Sequence, residues 1–388
     1  MKVKLIEVFD LQMGKTPSRN NLAYWNGTNT WVSISDLGDA NKYISKTKER
    51  ISDLGVTESG IKLVPKGTVI MSFKLSLGKT AITAEDMYTN EAIMAFIDKK
   101  IYSIDPNYIY HLFSGMNWIE GSNKAVMGIT LNKATLSQKI IDIPDIEEQR
   151  KVSRIFDKLN NMISLRKQQL AKLDELVKAR FVKMFGDMLL NSLEWPETQL
   201  ESMADIVSGI TKGRKTQNPE LIEVPYMAVS NVKDGYIDWT TVKTIMATQS
   251  EIDQYRILPN DVLMTEGGDP DKLGRGAIIQ EPLKNCIHQN HIFRVRLDRS
   301  IVLPEFFSEY LQHQKAKRYF LGCAKQTTGI ASINMKQLRA LPVLLPPIDS
   351  QEIFSDFIGQ VGQQKLTIQQ SLDKLEVLKK SLMQEYFG

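Results

Sequence analysis

The feature that most constrains this chain is that it repeats itself. Residues 144–186 and 346–388 align without a gap, and about a dozen of roughly forty positions are identical. Ile146 matches Ile348, Gln149 matches Gln351, and Leu170, Leu173 and Leu176 match Leu372, Leu375 and Leu378. Both stretches open on a proline, and both close on Phe-Gly, at Phe185-Gly186 and Phe387-Gly388. Chance similarity between two helices would not keep both ends. The repeat continues upstream. Trp31-Val32-Ser33-Ile34-Ser35-Asp36-Leu37 corresponds to Tyr226-Met227-Ala228-Val229-Ser230-Asn231-Val232, and Leu77-Gly78-Lys79 to Leu273-Gly274-Arg275. The period is about 200 residues, far above the ~20–50 of solenoid repeats. The 388 residues are therefore nearly two copies of one two-part unit. The expected segments are 1–146 (globular), 147–190 (helical), 191–348 (globular) and 349–388 (helical).

In the helical segments apolar residues recur at spacings of three, four and seven. Phe156, Leu159, Ile163, Leu170, Leu173 and Val177 form one stripe; Ile358, Val361, Ile368, Leu372 and Leu375 form the other. Helices of ~35–40 residues would run ~50–60 Å and cannot hide such a stripe inside one small domain. Matching stripes predict that the two helices pack on each other as a coiled coil. Arg166 stands where the second copy has Ile368, and Lys365 where the first has Ile163, as a register-specific seam would have it. The chain must return to deliver its second helix, so the pair is expected to be antiparallel. The fold class is α+β: two pseudo-repeated globular domains separated by two long helices in an antiparallel coiled coil. Such a rod could bridge DNA half-sites ~34–36 Å apart.

The globular segments mix short β-type runs, at 68–73, 92–97, 225–230, 262–265 and 292–297, with helical patches at 108–113 and 305–313. Their basic residues gather in glycine-bearing loops. The first copy has Lys15, Arg19, Lys74, Lys79 and Lys124; the second has Lys212, Arg214, Lys215, Lys272, Arg275, Lys325 and Gln326. Lys and Arg in such loops can hold phosphates, and Arg, Asn and Gln can also read base edges. The two copies differ most in these loops, as readers of two different sequences would. Net charge alone, +4, decides nothing. No apolar run approaches the ~18–20 residues of a membrane span. Cys286 and Cys323 are too few and too far apart for a disulfide framework. A cytoplasmic protein is expected.

These residues together resemble the specificity (S) subunit of type I restriction-modification systems, over essentially the whole chain. The resemblance rests on the paired proline–Ile–acidic–x–Gln helix starts, the Phe-Gly ends, WVSISDL, VPYMAVSNVKDGYID, LGRGAII and the GITLN/GIASIN pair. It implies that each globular segment is a target recognition domain reading one half of a bipartite, asymmetric DNA site. It implies that the helices set the spacer and dock two methyltransferase (M) subunits, with Leu159, Ile163, Leu170, Leu173, Val361, Ile368, Leu372 and Leu375 marking the helices involved. The M subunits would bind S-adenosylmethionine and methylate adenine N6. Restriction (R) subunits, using ATP and Mg, would translocate and cleave DNA. This chain would hold no cofactor and no metal, and would be no enzyme by itself.

An enzyme would need a catalytic motif, and the candidates in this sequence are incomplete. Asp105-Pro106-Asn107-Tyr108 is close to the DPPY of amino-methyltransferases but lacks the second proline, and its repeat equivalent is Leu303-Pro304-Glu305-Phe306; a helix start is expected. Gly14-Lys15-Thr16 and Gly78-Lys79-Thr80 end like a Walker A loop, yet Phe9 and Phe73 replace its first glycine. Cys286, His288 and His291 could sketch a metal site, but the first copy has no such ligands; these histidines could instead line the DNA face. A stand-alone methyltransferase or nuclease with degenerate motifs, and a scaffold that binds no DNA, remain the competing readings.

Overall fold

The structure, a computed structural model, describes residues 1–38, 42–74, 76–118, 131–214, 220–269, 273–327 and 330–388. The chain divides into two compact units: Met1–Lys167 with Gln370–Gly388, and Gln168–Gln369. Each unit takes one half of each of two 40-residue helices, α1 (Ile146–Phe185) and α2 (Ile348–Phe387).

In the first unit a five-stranded sheet runs in the order Phe9–Met13, Ile93–Asp98, Val69–Ser72, Thr80–Thr83, Tyr43–Ile44, antiparallel except for the last pair. Val69–Ser72 is buried along its whole length, which suits a β-branched, apolar strand covered on both faces. A second sheet places Trp25–Val32 between Glu49–Ile51, antiparallel, and Tyr88–Thr89, parallel. A two-stranded ribbon, Lys2–Lys4 with Ile140–Asp142, joins the two ends of the module.

The second unit repeats this plan. Its four-stranded sheet runs Ala204–Ser208, Ile292–Leu297, Val262–Thr265, Gly276–Ile278. Ile222–Met227 lies between Lys243–Ala247, antiparallel, and Ile287–His288, parallel. The closing ribbon is Glu197–Gln199 with Pro342–Leu344. One further small sheet places Ile330–Ser332 between Gly267–Gly268 and Lys325–Thr327.

The expected strands and helical patches are found at Val69–Ser72, Ile93–Asp98, Val262–Thr265, Ile292–Leu297, Pro106–Gly115 and Pro304–Gln312. The run expected at 225–230 begins earlier and stops at Met227. There the Asn231 side chain accepts a hydrogen bond from the Ala228 N–H at 2.9 Å and bends the backbone into a 3-10 turn.

Within each unit the helix halves run antiparallel. In the first, Phe156 stacks on Phe387 with centroids 5.3 Å apart, while Lys167 pairs with Glu376 at 3.0 Å further along. In the second, Phe181 and Phe185 pack on Phe354 at 5.5 and 5.4 Å, and Lys365 bonds Asp174. The stripe is thereby sealed: Val152, Phe156 and Leu159 join Leu375 in one core, and Val177, Phe181 and Phe185 join Phe354 and Val361 in the other. The polar seam residue Lys365 finds a carboxylate, so its place in the stripe leaves no unpaired charge.

Candidate nucleic-acid interface

The loops that carry the basic residues hang from equivalent points of the two units. After its first sheet strand each copy has a glycine pressed against the neighbouring parallel strand. A Cβ on Gly14 would lie 2.1 Å from the Thr89 carbonyl oxygen, and one on Gly209 2.0 Å from that of His288. Only glycine permits such a contact. The next residue is clamped in both copies. Lys15 N–H donates to Thr89 O at 2.8 Å, and Ile210 N–H to His288 O at 2.9 Å. The carbonyl of that residue then accepts from an aromatic donor, Trp31 Nε1 at 3.1 Å in the first copy and Tyr226 Oη at 3.0 Å in the second. Different residues keep one hydrogen bond, so the loop leaves a fixed anchor in both.

In this register Arg19 of the first copy corresponds to Arg214 of the second. Both are held by a carboxylate from a different element. The Arg19 guanidinium forks onto Glu49 in a strand and lies over the Trp25 ring, 3.8 Å from its centroid. Arg214 forks onto Glu251, whose own carboxylate closes the capping box of the helix Gln249–Tyr255. Hydrogen bonding to these arginines lowers the pKa of Glu49 and of Glu251 below the usual carboxylate range. Lys15, Lys212 and Lys325 are exposed. Lys74 Nζ lies 5.3 Å from the Phe73 ring centroid.

A second basic turn is equally matched. Gly78 and Gly274 both have positive φ, 82° and 71°, and a Cβ on Gly274 would meet the Phe320 ring at 2.3 Å. Lys79 and Arg275 follow directly, and their carbonyls accept from Ser72 N–H at 2.9 Å and Thr265 N–H at 3.1 Å. Arg275 Nε is buried with no hydrogen-bond partner among the described residues. Lys124, Lys215 and Lys272 lie outside the described residues, as does the side chain of Gln326.

Of the helix residues singled out from the sequence, Leu159, Val361, Leu372 and Leu375 are buried, and Ile163, Leu170, Leu173 and Ile368 are half-buried. They build the helix pair itself. Large apolar side chains exposed on the same helices are Met162, Leu165, Leu176, Val182, Ile353, Leu366, Val377 and Leu378.

The motifs weighed for catalysis have other work. Asp105 caps the helix Pro106–Gly115 by accepting from Asn107 N–H at 3.0 Å. Cys286, His288 and His291 do not converge. Cys286 Sγ is directed to Ile287 O at 3.7 Å, His288 is fully buried with Nδ1 3.1 Å from Ile292 O, and His291 is exposed with Nδ1 2.6 Å from Glu266 Oε2. Two residues that sequence reading left without a role are Gln149 and Gln351. Both are fully buried, and each staples a long-helix start to the loop before a short helix. Gln149 accepts from Asp105 N–H and donates to Ser103 O and Pro144 O; Gln351 accepts from Leu303 N–H and donates to Ile301 O and Pro346 O. Their presence at the same place in both copies was the available signal.

Residues 1–175 and 193–378 match the family model described as the type I restriction modification DNA specificity domain. The chain is 27% identical over 251 residues to the type I restriction enzyme MjaIX specificity subunit of Methanocaldococcus jannaschii, an alignment covering 60% of this chain and 58% of that protein. The chain spans about half the length of the curated relatives it matches. Among solved structures, a chain described in work on complex assembly and conformational transition of the type I R-M system is similar with a TM-score of 0.63 at 17% identity, covering 100% of this chain and 97% of that one. The type I restriction-modification system S subunit from M. genitalium is similar with a TM-score of 0.57 at 14% identity, covering 100% and 96%. These likenesses are of fold.

Proposed function

The chain belongs to the family of type I restriction modification DNA specificity domains, and from that premise we propose that it is the DNA-specificity subunit of a type I restriction-modification complex. Each globular module reads one half of a bipartite, asymmetric target. Lys15, Lys74 and Lys79 in one module, and Lys212, Arg275 and Lys325 in the other, neutralise phosphates and fix register. Such contacts orient a protein without reading sequence. Base edges are read by the polar side chains that differ between the copies. Arg19 and Arg214, already forked onto carboxylates, hold their loops in shape, and their charge is offset by Glu49 and Glu251.

The chain transfers no methyl group and cuts no DNA. It works in the cytoplasm beside two methyltransferase subunits, which supply S-adenosylmethionine and modify adenine N6. Restriction subunits supply ATP- and Mg-dependent translocation and cleavage. Docking uses exposed apolar side chains of the helices, Leu165, Val377 and Leu378 in the first unit and Leu176 in the second, because the buried stripe of each unit is spent on its helix pair. The helices set the distance between the half-sites.

The observation that carries this reading is one scaffold built twice, with its anchors kept and its loop chemistry changed. Single-molecule methylation mapping of DNA from a host expressing the chain with its M partner tests it. A two-part adenine-methylated motif is expected. Methyl transfer or cleavage by the chain alone would support the enzyme reading instead. For the scaffold reading, Lys212→Ala decides: DNA affinity should drop and the slope of log affinity against log salt should flatten by about 0.9 per lost phosphate contact. An unchanged slope favours a scaffold.

A further inference from the structure

The two modules keep their backbone hydrogen bonds in register where their side chains part company. Phe73 N–H donates to Ala92 O at 3.0 Å, and at the matching place Glu266 N–H donates to His291 O at 3.0 Å. In the first module that position is apolar and buried: Phe73 and Ala92 are 1% and 6% exposed. In the second the same two positions hold a carboxylate and an imidazole, with side chains 32% and 56% exposed. Their bond, 2.6 Å, is extended by Asn290, whose Nδ2 lies 3.3 Å from His291 Nε2. One tautomer satisfies both contacts. Nδ1–H donates to Glu266 and Nε2 accepts from Asn290.

The backbone of Glu266 is held from both sides, since its carbonyl also accepts from Ile333 N–H at 2.8 Å. Its side chain leaves Oε1 with no hydrogen-bond partner among the described residues. Basic residues stand on either side. Arg275 O is bonded by Thr265 N–H, next to Glu266. Lys325 pairs with Ser332, which pairs with Gly267, so two strand spacings, about 10 Å, separate Lys325 from the residue after Glu266. A carboxylate among phosphate-binding cations repels the backbone of DNA unless it meets a hydrogen-bond donor. The major groove offers amino donors on cytosine N4 and adenine N6; adenine's lies beside the N7 acceptor, which repels a carboxylate's second oxygen, so cytosine N4 is the donor that suits a carboxylate.

We propose that Glu266, oriented by His291 and Asn290, is a specificity determinant of the second module and accepts a hydrogen bond from the N4 amino group of a cytosine in its half-site. The inference rests on the DNA-specificity reading above. The first module, with Phe73 and Ala92, lacks this reader and discriminates by other contacts.

The test coexpresses the full chain with its M partner and maps methylated motifs for wild type, Glu266→Gln and the double variant Glu266→Phe/His291→Ala, which restores the first module's residues. Glu266→Gln keeps shape and folding while adding a donor. One C·G pair in one half-site should lose discrimination of roughly 5- to 150-fold, with the other half-site and the spacer unchanged. The double variant should relax the same pair. An identical motif in Glu266→Gln, or a uniform loss at all sites with the motif unchanged, overturns the proposal. A wild-type chain that directs no two-part methylation overturns the underlying reading and this inference with it. Relaxation of a base in the other half-site as well would mean that Glu266 shapes the complex rather than reads a base.

Discussion

Gln351 shows how one side chain ties the start of a 40-residue helix to the loop before a short helix. Its buried amide uses both ends, and replacing it by leucine strands the Leu303 N–H and the carbonyls of Ile301 and Pro346. Each buried group left unpaired costs about 1–3 kcal/mol. Gln351→Leu should therefore lose more than about 2 kcal/mol in urea unfolding; a loss below that would mean the loop re-pairs through water. His288 acts through pH. Burial, and after it the charge of Arg294, pushes its imidazole down to about 4, whereas the unfolded chain protonates it near pH 6.5. The unfolded state thus binds more protons between these values. Stability from this group is present above pH ~6.5 and is lost as pH falls toward ~4, at up to about 1.4 kcal/mol per pH unit. The urea midpoint of the wild type should fall more steeply between about pH 7 and about pH 5 than that of His288→Asn. Parallel slopes would assign the pH response to other groups.

At the scale of elements, a sheet order is repeated although little of its sequence is. The sheet needs buried β-branched and aromatic residues at alternate or central positions, and many sequences satisfy that. The connections need particular residues. Gly274 combines a positive φ with the Phe320 ring where a Cβ would go. Gly274→Ala should cost the second unit about 2 kcal/mol, adding overpacking to backbone strain, seen as a lower melting temperature. A change of a few tenths would show that the turn yields. The strand–turn boundary at Met227 and Ala228 was not legible beforehand, because Val229 and Ser230 continue the β-type pattern. The Asn231 amide overrides it.

For the whole molecule, the two helices are the parts best matched between copies, and their repeat was visible as a gapless alignment. The ruler role proposed for them is testable. Inserting four residues, about one turn and ~6 Å, into each helix at the junctions 167/168 and 369/370 should lengthen the spacer by roughly two base pairs. Both half-sites should stay readable in methylation maps. A changed half-site with an unchanged spacer contradicts the ruler.

The sequence by itself determined the duplication, the α+β class, the long paired helices and the loops in which basic residues gather. These follow from periodicity and self-similarity, which are properties of residue order. Only the tertiary structure decided which side chains those loops spend internally. Arg19 and Arg214 meet carboxylates 30 and 37 positions away, and Glu266 meets His291 25 positions on. The folded backbone brings these groups to hydrogen-bond distance, and residue spacing along the chain carries no trace of that.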